Sequence, residues 1–310
     1  VKNGFRIGTR GSPLALWQAE SVKTAVLRFF PELSPEIVTI KTGGDVPDRA
    51  KGGPLETKRI FTREIEEALL AGEVDAAVHS AKDLAAGLPE GLEIAAVTER
   101  EDPRDCLVSA GGQPLAALPR GAVIGTGSFR RKMQLLRRNA ELRIEEMHGN
   151  VQTRLRKMRE GRCAAVVLAL AGIRRLGLEA QVSEIFGEDV FYPAPGQGIV
   201  AVQARAGDAR TREILGKIEH AETRVRYECE RAFLIRLEGG CQVPCGITTN
   251  LRGQRLSAAG GVFALDEIRW AEDKTEGDAA QAAAIGEALA EKILAAGGKS
   301  ILEKIRKANR

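Results

Sequence analysis

The chain has 310 residues, 44% of them hydrophobic and 28% charged, which is enough for two or three hydrophobic cores. A net charge of +4 and 4% aromatic content argue against a nucleic-acid binder, which needs a basic face or aromatic platforms. No apolar run approaches the roughly 18 residues of a membrane span, so neither nucleic acid nor membrane is an expected partner.

The opening stretch, VKNGFRIGTRGS, has no apolar signal core, and a cytoplasmic location is expected. It enters a strand at Phe5–Thr9. Ser12 stands where a helix cap belongs and Pro13 at the first helical position, for a helix reaching about Phe30. EIVTIK reads as a second strand. Thr42 to Pro54 holds four glycines and two prolines and reads as a loop. A helix is expected over Arg59–Ala71, stopped by Gly72. VDAAVHS is a buried strand that ends at the polar cluster His79 to Asp83, and LEIAAVTER is another strand.

The pattern then restarts. AVIGT is a strand, Gly127 a turn and Ser128 a helix cap. Leu142–Met147 reads as a strand, His148 and Gly149 as a turn, and Asn150 as the next cap. Ala164–Leu170 is a strand, and YPAPGQG suits a hinge or crossover. The last third changes character: a helix near 218–238, strands near 246–250, 256–264 and 267–272, then a helix over roughly 278–296. The expectation is an α/β protein with two α/β domains and a small α+β C-terminal domain. The boundaries are 1–98 plus about 199–216, then 103–193, then 218–310.

Three clusters sit where strands end: Thr9-Arg10-Gly11-Ser12, Ser80-Ala81-Lys82-Asp83 and Thr126-Gly127-Ser128-Phe129-Arg130-Arg131. Ligands of open α/β sheets bind beyond the carboxyl ends of strands, and helix starts with nearby arginines suit anions. Arginine outnumbers lysine 32 to 14, an excess open to two readings: genomic composition, or a need for planar, two-pronged gripping of carboxylate or phosphate. Taken singly, a capping serine is more often only a cap and an arginine run more often a solvated face. Asp83 is either half of a structural salt bridge with Lys82 or an electrostatic anchor for a developing cation. Cys106, Cys163 and Cys229 read as buried fillers. Cys241, in Glu238-Gly239-Gly240-Cys241-Gln242-Val243-Pro244, sits in a shaped loop and suits a nucleophile or attachment point. Cys245 follows it without the usual redox spacing. No metal site is expected, because the cysteines and histidines lack ligand spacing.

Seven blocks together resemble the porphobilinogen deaminase (hydroxymethylbilane synthase) family: TRGSPLALWQ, VHSAKD, EREDPRD, GTGSFRR, GNVQTRL, PAPGQG and LEGGCQVP. They span nearly the whole chain in the family's order. The resemblance implies two periplasmic-binding-protein-like α/β domains with a cleft between them, plus the small C-terminal domain. It implies a cytoplasmic, monomeric transferase of tetrapyrrole and heme biosynthesis. Four porphobilinogens would join head to tail with release of ammonia, giving 1-hydroxymethylbilane. The work would be done on a dipyrromethane cofactor held to Cys241 by a thioether. By motif, Asp83 and Lys82 would be catalytic. Ser80, Lys82, Asp83, Thr126, Ser128, Arg130, Arg131, His148 and Arg154 would bind the cofactor. Arg10, Ser12, Lys58, Arg175 and Gln197 would bind porphobilinogen and the growing polypyrrole chain. Each ring carries an acetate and a propionate, so the ligand is a growing polyanion and the arginines have a reason.

Two departures stand out. His148 occupies the position before Gly149-Asn150 where the family usually has arginine, and histidine grips carboxylate less firmly. Before Phe61, Pro54 stands where a lysine is common and Glu56 adds a repelling charge, with Arg59 as a compensating one. VHSAKDLA also lacks a frequent proline. These changes motivate a rival reading, a non-catalytic tetrapyrrole or anion binder on the same scaffold.

Overall fold

The computed structural model describes residues 3–43, 61–238, 243–265 and 268–308. In chain order the first elements are β1 (Gly4–Thr9), α1 (Pro13–Phe29), β2 (Ser34–Thr39), α2 (Arg63–Leu70), β3 (Ala76–Ser80) and β4 (Leu92–Val97). Next come β5 (Asp105–Ser109), β6 (Val123–Gly125), α3 (Phe129–Arg138), β7 (Arg143–Glu145), α4 (Val151–Arg159), β8 (Ala165–Ala169), α5 (Leu170–Arg175) and β9 (Glu184–Ile185). The chain continues with β10 (Val200–Arg205), α6 (Ala209–Gly216), α7 (Ala221–Glu238), β11 (Cys245–Arg252), β12 (Arg255–Phe263), β13 (Trp270–Asp278), α8 (Ala282–Ile293) and α9 (Lys299–Ala308).

Two compact units result. One holds the chain up to Glu101 with Ile199–Glu228; the other holds Asp102–Gly198, Cys229–Leu237 and the chain from Val243 on. In the first, a five-stranded sheet has the order β2-β1-β3-β10-β4. β1 is parallel to β2 and β3, whereas β10 is antiparallel to both neighbours. Phe5 and Ile7 of β1 pack on Ala19, Val22 and Val26 of α1 and on Ile214 and Leu215 of α6. Ile65 and Leu69 of α2 cover Ala77 and Val74 in a second cluster. Helices on both faces explain why β3 reads as a nearly continuous apolar run. Each fully buried Ile or Phe contributes about 1.5–3 kcal/mol. α1 begins as expected: Pro13 opens it, and the Ser12 hydroxyl accepts a hydrogen bond from the Ala15 amide at 3.3 Å.

In the second unit the sheet order is β7-β6-β8-β5-β9. β6 is parallel to β7 and β8, and β5 is antiparallel to β8 and β9. The two-residue strand period divides the core. Cys106, Val108, Val166 and Leu168 face one cluster with Leu155, Met158 and Ile173. Leu107, Ala165 and Val167 face the other with Leu135, Phe186 and Phe191. The same unit contains the antiparallel sheet β11-β12-β13, against which α8 packs. A Cβ on Gly286 of α8 would lie 2.0 Å from the Cys229 carbonyl oxygen of α7, so only glycine permits this approach.

Some expectations shift. β13 is Trp270–Asp278, later and longer than 267–272, because its polar, half-exposed pattern hides the strand period. The helix expected over 278–296 is α8, which ends at Ile293, and a further helix that was not expected, α9, follows at Lys299. α2 begins at Arg63 rather than Arg59, with a turn at Phe61–Thr62. The strands β5 and β10 were not distinguished by the sequence pattern. Most of the expected loop, Lys58 and Cys241 lie outside the described residues.

Candidate functional site

In the first unit, parallel pairing of β1 with β3 puts both carboxyl ends on one sheet edge. Beyond β1 come Arg10, Gly11 and Ser12. The Arg10 guanidinium lies over the Phe61 ring, 4.3 Å from its centroid. Ser12 serves as the α1 cap. Beyond β3, Ser80 leads into a single turn over Ala81–Asp83. The Ala81 amide donates to the Ile199 carbonyl at 3.0 Å, and the Leu84 amide closes the turn onto Ala81 at 3.3 Å. Leu84 is buried beneath it, while Lys82 and Asp83 are half-buried, so the carboxylate is held by backbone geometry yet reachable. Ser80 is fixed from α1: Gln18 Nε2 donates to its hydroxyl at 2.9 Å, and that hydroxyl lies 3.2 Å from Gln18 Oε1.

His79, just before Ser80, is buried, and its pKa is pushed down to about 4. Burial is the main cause; the Arg10 charge adds to it, and a contact with Gln203 opposes it. The imidazole is therefore neutral near pH 7 and adds no cation behind the Asp83 turn.

In the second unit, β6 is parallel to both β7 and β8, and the third expected cluster, Thr126 to Arg131, follows the carboxyl end of β6. Thr126 is buried, and its hydroxyl accepts from the Ser128 amide at 3.2 Å. The Ser128 hydroxyl in turn accepts from the Arg131 amide at 3.4 Å as the α3 cap. A Cβ on Gly127 would lie 3.0 Å from the Met147 carbonyl oxygen and 3.7 Å from His148 Nδ1. That close approach sets the Thr126–Ser128 turn beside His148. The His148 ring is exposed, with Nε2 3.0 Å from Glu146 Oε1. Arg154 Nε donates to the Gly149 carbonyl at 2.9 Å, and Asn150 caps α4 by accepting from the Thr153 amide at 2.9 Å. Arg175 follows β8 and donates to the Gly198 carbonyl at 2.7 Å.

Arg130 and Arg131 are not a solvated face. Both are buried against Asp105, which is wholly buried at the start of β5. Arg130 Nη1 donates to Asp105 Oδ2 at 2.6 Å; Arg131 Nε and Nη2 donate to Oδ1 at 3.0 and 2.7 Å. Gln197 joins them, donating from Nε2 to Asp105 Oδ1 at 2.9 Å and to the Pro103 carbonyl at 2.6 Å. Burial pushes the Asp105 carboxyl up, but the two guanidiniums outweigh it and hold the group well below the usual carboxylate range. Burial lowers the Arg130 pKa, with Asp105 opposing.

Sequence reasoning left Asp105 and Gln18 without a role, although both fall inside quoted blocks. The signal for Asp105 was present: an aspartate opening the apolar strand DCLVS must find a cation. Gln18 carried no such signal, because its partner lies 62 residues away.

The family model "Porphobilinogen deaminase, dipyromethane cofactor binding domain" matches residues 5–213, and "Porphobilinogen deaminase, C-terminal domain" matches 225–295. The porphobilinogen deaminase of Roseiflexus castenholzii is 44% identical over 302 residues, covering 97% of this chain and 99% of that protein. That of Pelotomaculum thermopropionicum is 44% identical over 310 residues, covering 100% of this chain and 99% of its own. Among solved structures, the methionine binding protein MetQ is 14% identical, with a TM-score of 0.47, over 74% of this chain and 96% of that one.

Proposed function

The chain belongs to the porphobilinogen deaminase family, and from that premise we propose what its residues do. The substrate is porphobilinogen, and the reaction is head-to-tail joining of four molecules into 1-hydroxymethylbilane with loss of ammonia. The dipyrromethane group, held by Cys241, supplies the free pyrrole carbon to which the first unit is added.

The donor set fits such a group. A half-buried carboxylate, Asp83, suits pyrrole N–H groups, and the Thr126–Ser128 turn with its neighbouring cations suits ring carboxylates. Asp83 stabilises positive charge developing on pyrrole nitrogens, and Lys82 stands beside it as a cation for ring carboxylates. Arg10, Ser12 and Lys58 bind the incoming porphobilinogen, together with Arg175 and Gln197. Ser80, Thr126, Ser128, Arg130, Arg131, His148 and Arg154 hold the primer. The protein works as a three-domain monomer in the cytoplasm. No helix among the described residues is long and apolar enough to cross a membrane.

Asp83 is the observation that carries this reading. It is presented by a backbone-closed turn on the edge shared with Arg10 and Ser12, within the span matched by the cofactor-domain model. The test is intact mass before and after exposure to porphobilinogen, with ammonia release followed in parallel. The protein should carry the added mass of two linked pyrroles and then a ladder of further units. Adduct without consumption would favour the non-catalytic binder; neither adduct nor consumption would sink the reading.

His148 gives a finer test. Its imidazole already has a carboxylate partner in Glu146, so it offers a ligand carboxylate less than a guanidinium would. His148→Arg is expected to lower the Michaelis constant for porphobilinogen, because a guanidinium is permanently charged and grips a carboxylate with two prongs. Steady-state kinetics across pH on both proteins check this. Superimposable profiles and equal primer occupancy would remove His148 from the binding surface.

A further inference from the structure

The charge balance at the start of α3 is unusual. The positive end of a helix dipole favours acids, yet this first turn has no acidic residue and carries two consecutive arginines. Both point inward, with Arg130 5% and Arg131 6% exposed. Guanidiniums so placed lose their hydration and require an anion. Among these three side chains only Asp105 supplies one, so two cations share a single carboxylate. Its oxygens take four donors: Arg130 Nη1, Arg131 Nε and Nη2, and Gln197 Nε2. The pair also donates to neutral oxygens: Arg130 to the Tyr192 carbonyl at 2.6 Å, and Arg131 to the Val167 carbonyl at 3.0 Å and to Gln197 Oε1 at 3.5 Å. Within the triad one positive charge is left over.

The two arginines open the helix that the hydroxyl-bearing turn leads into. The Arg131 amide bonds the Ser128 hydroxyl, and the Ser128 amide bonds the Thr126 hydroxyl. A protein gains nothing in stability by burying two cations with one anion at the positive end of a helix. Such a local conflict is expected where an anionic ligand completes the balance.

We propose that Asp105 is a positioning residue: it locks Arg130 and Arg131 in the first turn of α3, directly after the Thr126–Ser128 turn, and leaves one unit of positive charge there to hold a ligand carboxylate. This rests on the function proposed above. Asp105 itself does not touch the ligand; it sets where the cations stand. If the aspartate were neutralised, the two guanidiniums would repel and leave their present geometry, and the turn that leads into their helix would lose its register.

The test uses the full-length enzyme as purified, with Asp105→Asn, Asp105→Glu and Arg131→Lys compared with the parent by melting, intact mass and porphobilinogen kinetics. In Asp105→Asn the Michaelis constant should rise roughly tenfold or more and primer occupancy should fall, with turnover of the loaded fraction within about threefold of the parent. Asp105→Glu, which keeps the charge on a longer arm, should recover part of the occupancy. A folded Asp105→Asn protein with lower melting but parental Michaelis constant and occupancy would overturn the proposal, because that is what a purely structural role produces. Should Asp105→Asn yield no folded protein, Arg131→Lys decides. It keeps the charge and loses the two-pronged grip, and a Michaelis constant unchanged from the parent would overturn the proposal. The parent separates the two levels. If it lacks adduct and turnover, the function reading fails; if it has both while the variants match it, only the role of Asp105 fails.

Discussion

Asp83→Asn is expected to cut turnover by about 10²–10³ while leaving the fold intact, the usual cost of losing one preorganised electrostatic contact. The substitution changes charge and hardly changes shape. The turn that presents Asp83 is held by bonds that do not involve its side chain: Ala81 to Ile199, Leu84 to Ala81, and buried Leu84 beneath. The melting temperature should therefore stay close to that of the parent. An amide can still accept a hydrogen bond from a pyrrole N–H, so binding should suffer less than chemistry. What it cannot do is stabilise the positive charge that builds on pyrrole nitrogens as the new bond forms. The loss should appear in the rate of elongation of enzyme that already carries primer, measured by rapid mixing with porphobilinogen. Asp83→Glu keeps the charge and misplaces it, and should retain more activity than the amide. Turnover near the parental level, with the substitution verified by mass, would reject an essential carboxylate.

Cys241→Ser is expected to abolish the covalent primer and, with it, all turnover above background. The other thiols are poorly placed to substitute. Burial, with the neighbouring Asp105 charge, pushes the Cys106 thiol up to about 12, and burial beside Glu230 does the same for Cys229. Burial raises Cys163 as well, and Cys245 is buried at the start of β11. Thiols held protonated in a core are weak nucleophiles, since the thiolate is the reactive form. Peptide mapping of the parent should place the dipyrrole on the peptide containing Cys241 and nowhere else. An adduct on Cys245, or an active Cys241→Ser enzyme carrying a primer, would overturn the assignment. The serine variant should still fold, because the cores of both units are built from other residues.

The two substitutions separate roles that a single activity assay would merge. Loss of Cys241 removes the anchor and leaves no adduct to extend. Loss of the Asp83 charge leaves the adduct in place and slows its extension. His148→Arg acts on neither and alters only how firmly a carboxylate is held. Mass and kinetics read together therefore assign each residue to attachment, chemistry or grip.

Much of the fold could be read from short windows of sequence, because its signals are local. A cap acts on an amide three residues away, so Ser12, Ser128 and Asn150 marked the starts of α1, α3 and α4 correctly. Apolar runs marked β1, β3 and β8, and strand ends marked where Arg10–Ser12 and Ser80–Asp83 stand in the first unit and Thr126–Arg131 in the second. The family blocks fixed the chemistry expected of Asp83 and Cys241. The tertiary structure alone decided what the polar side chains at these strand ends do. Gln18 reaches Ser80 across 62 residues, and Asp105 meets Arg130 and Arg131 across 25 and 26. It also slotted β10 antiparallel between β3 and β4, a placement that no local pattern encodes. Such pairings depend on strand order and on which way each strand faces. A charge on a strand or first helical turn looks the same in sequence whether it meets water or another charge. Burial separates the two cases, since a charge taken out of water must find a counter-charge at hydrogen-bonding distance, and only the folded chain shows which one it found.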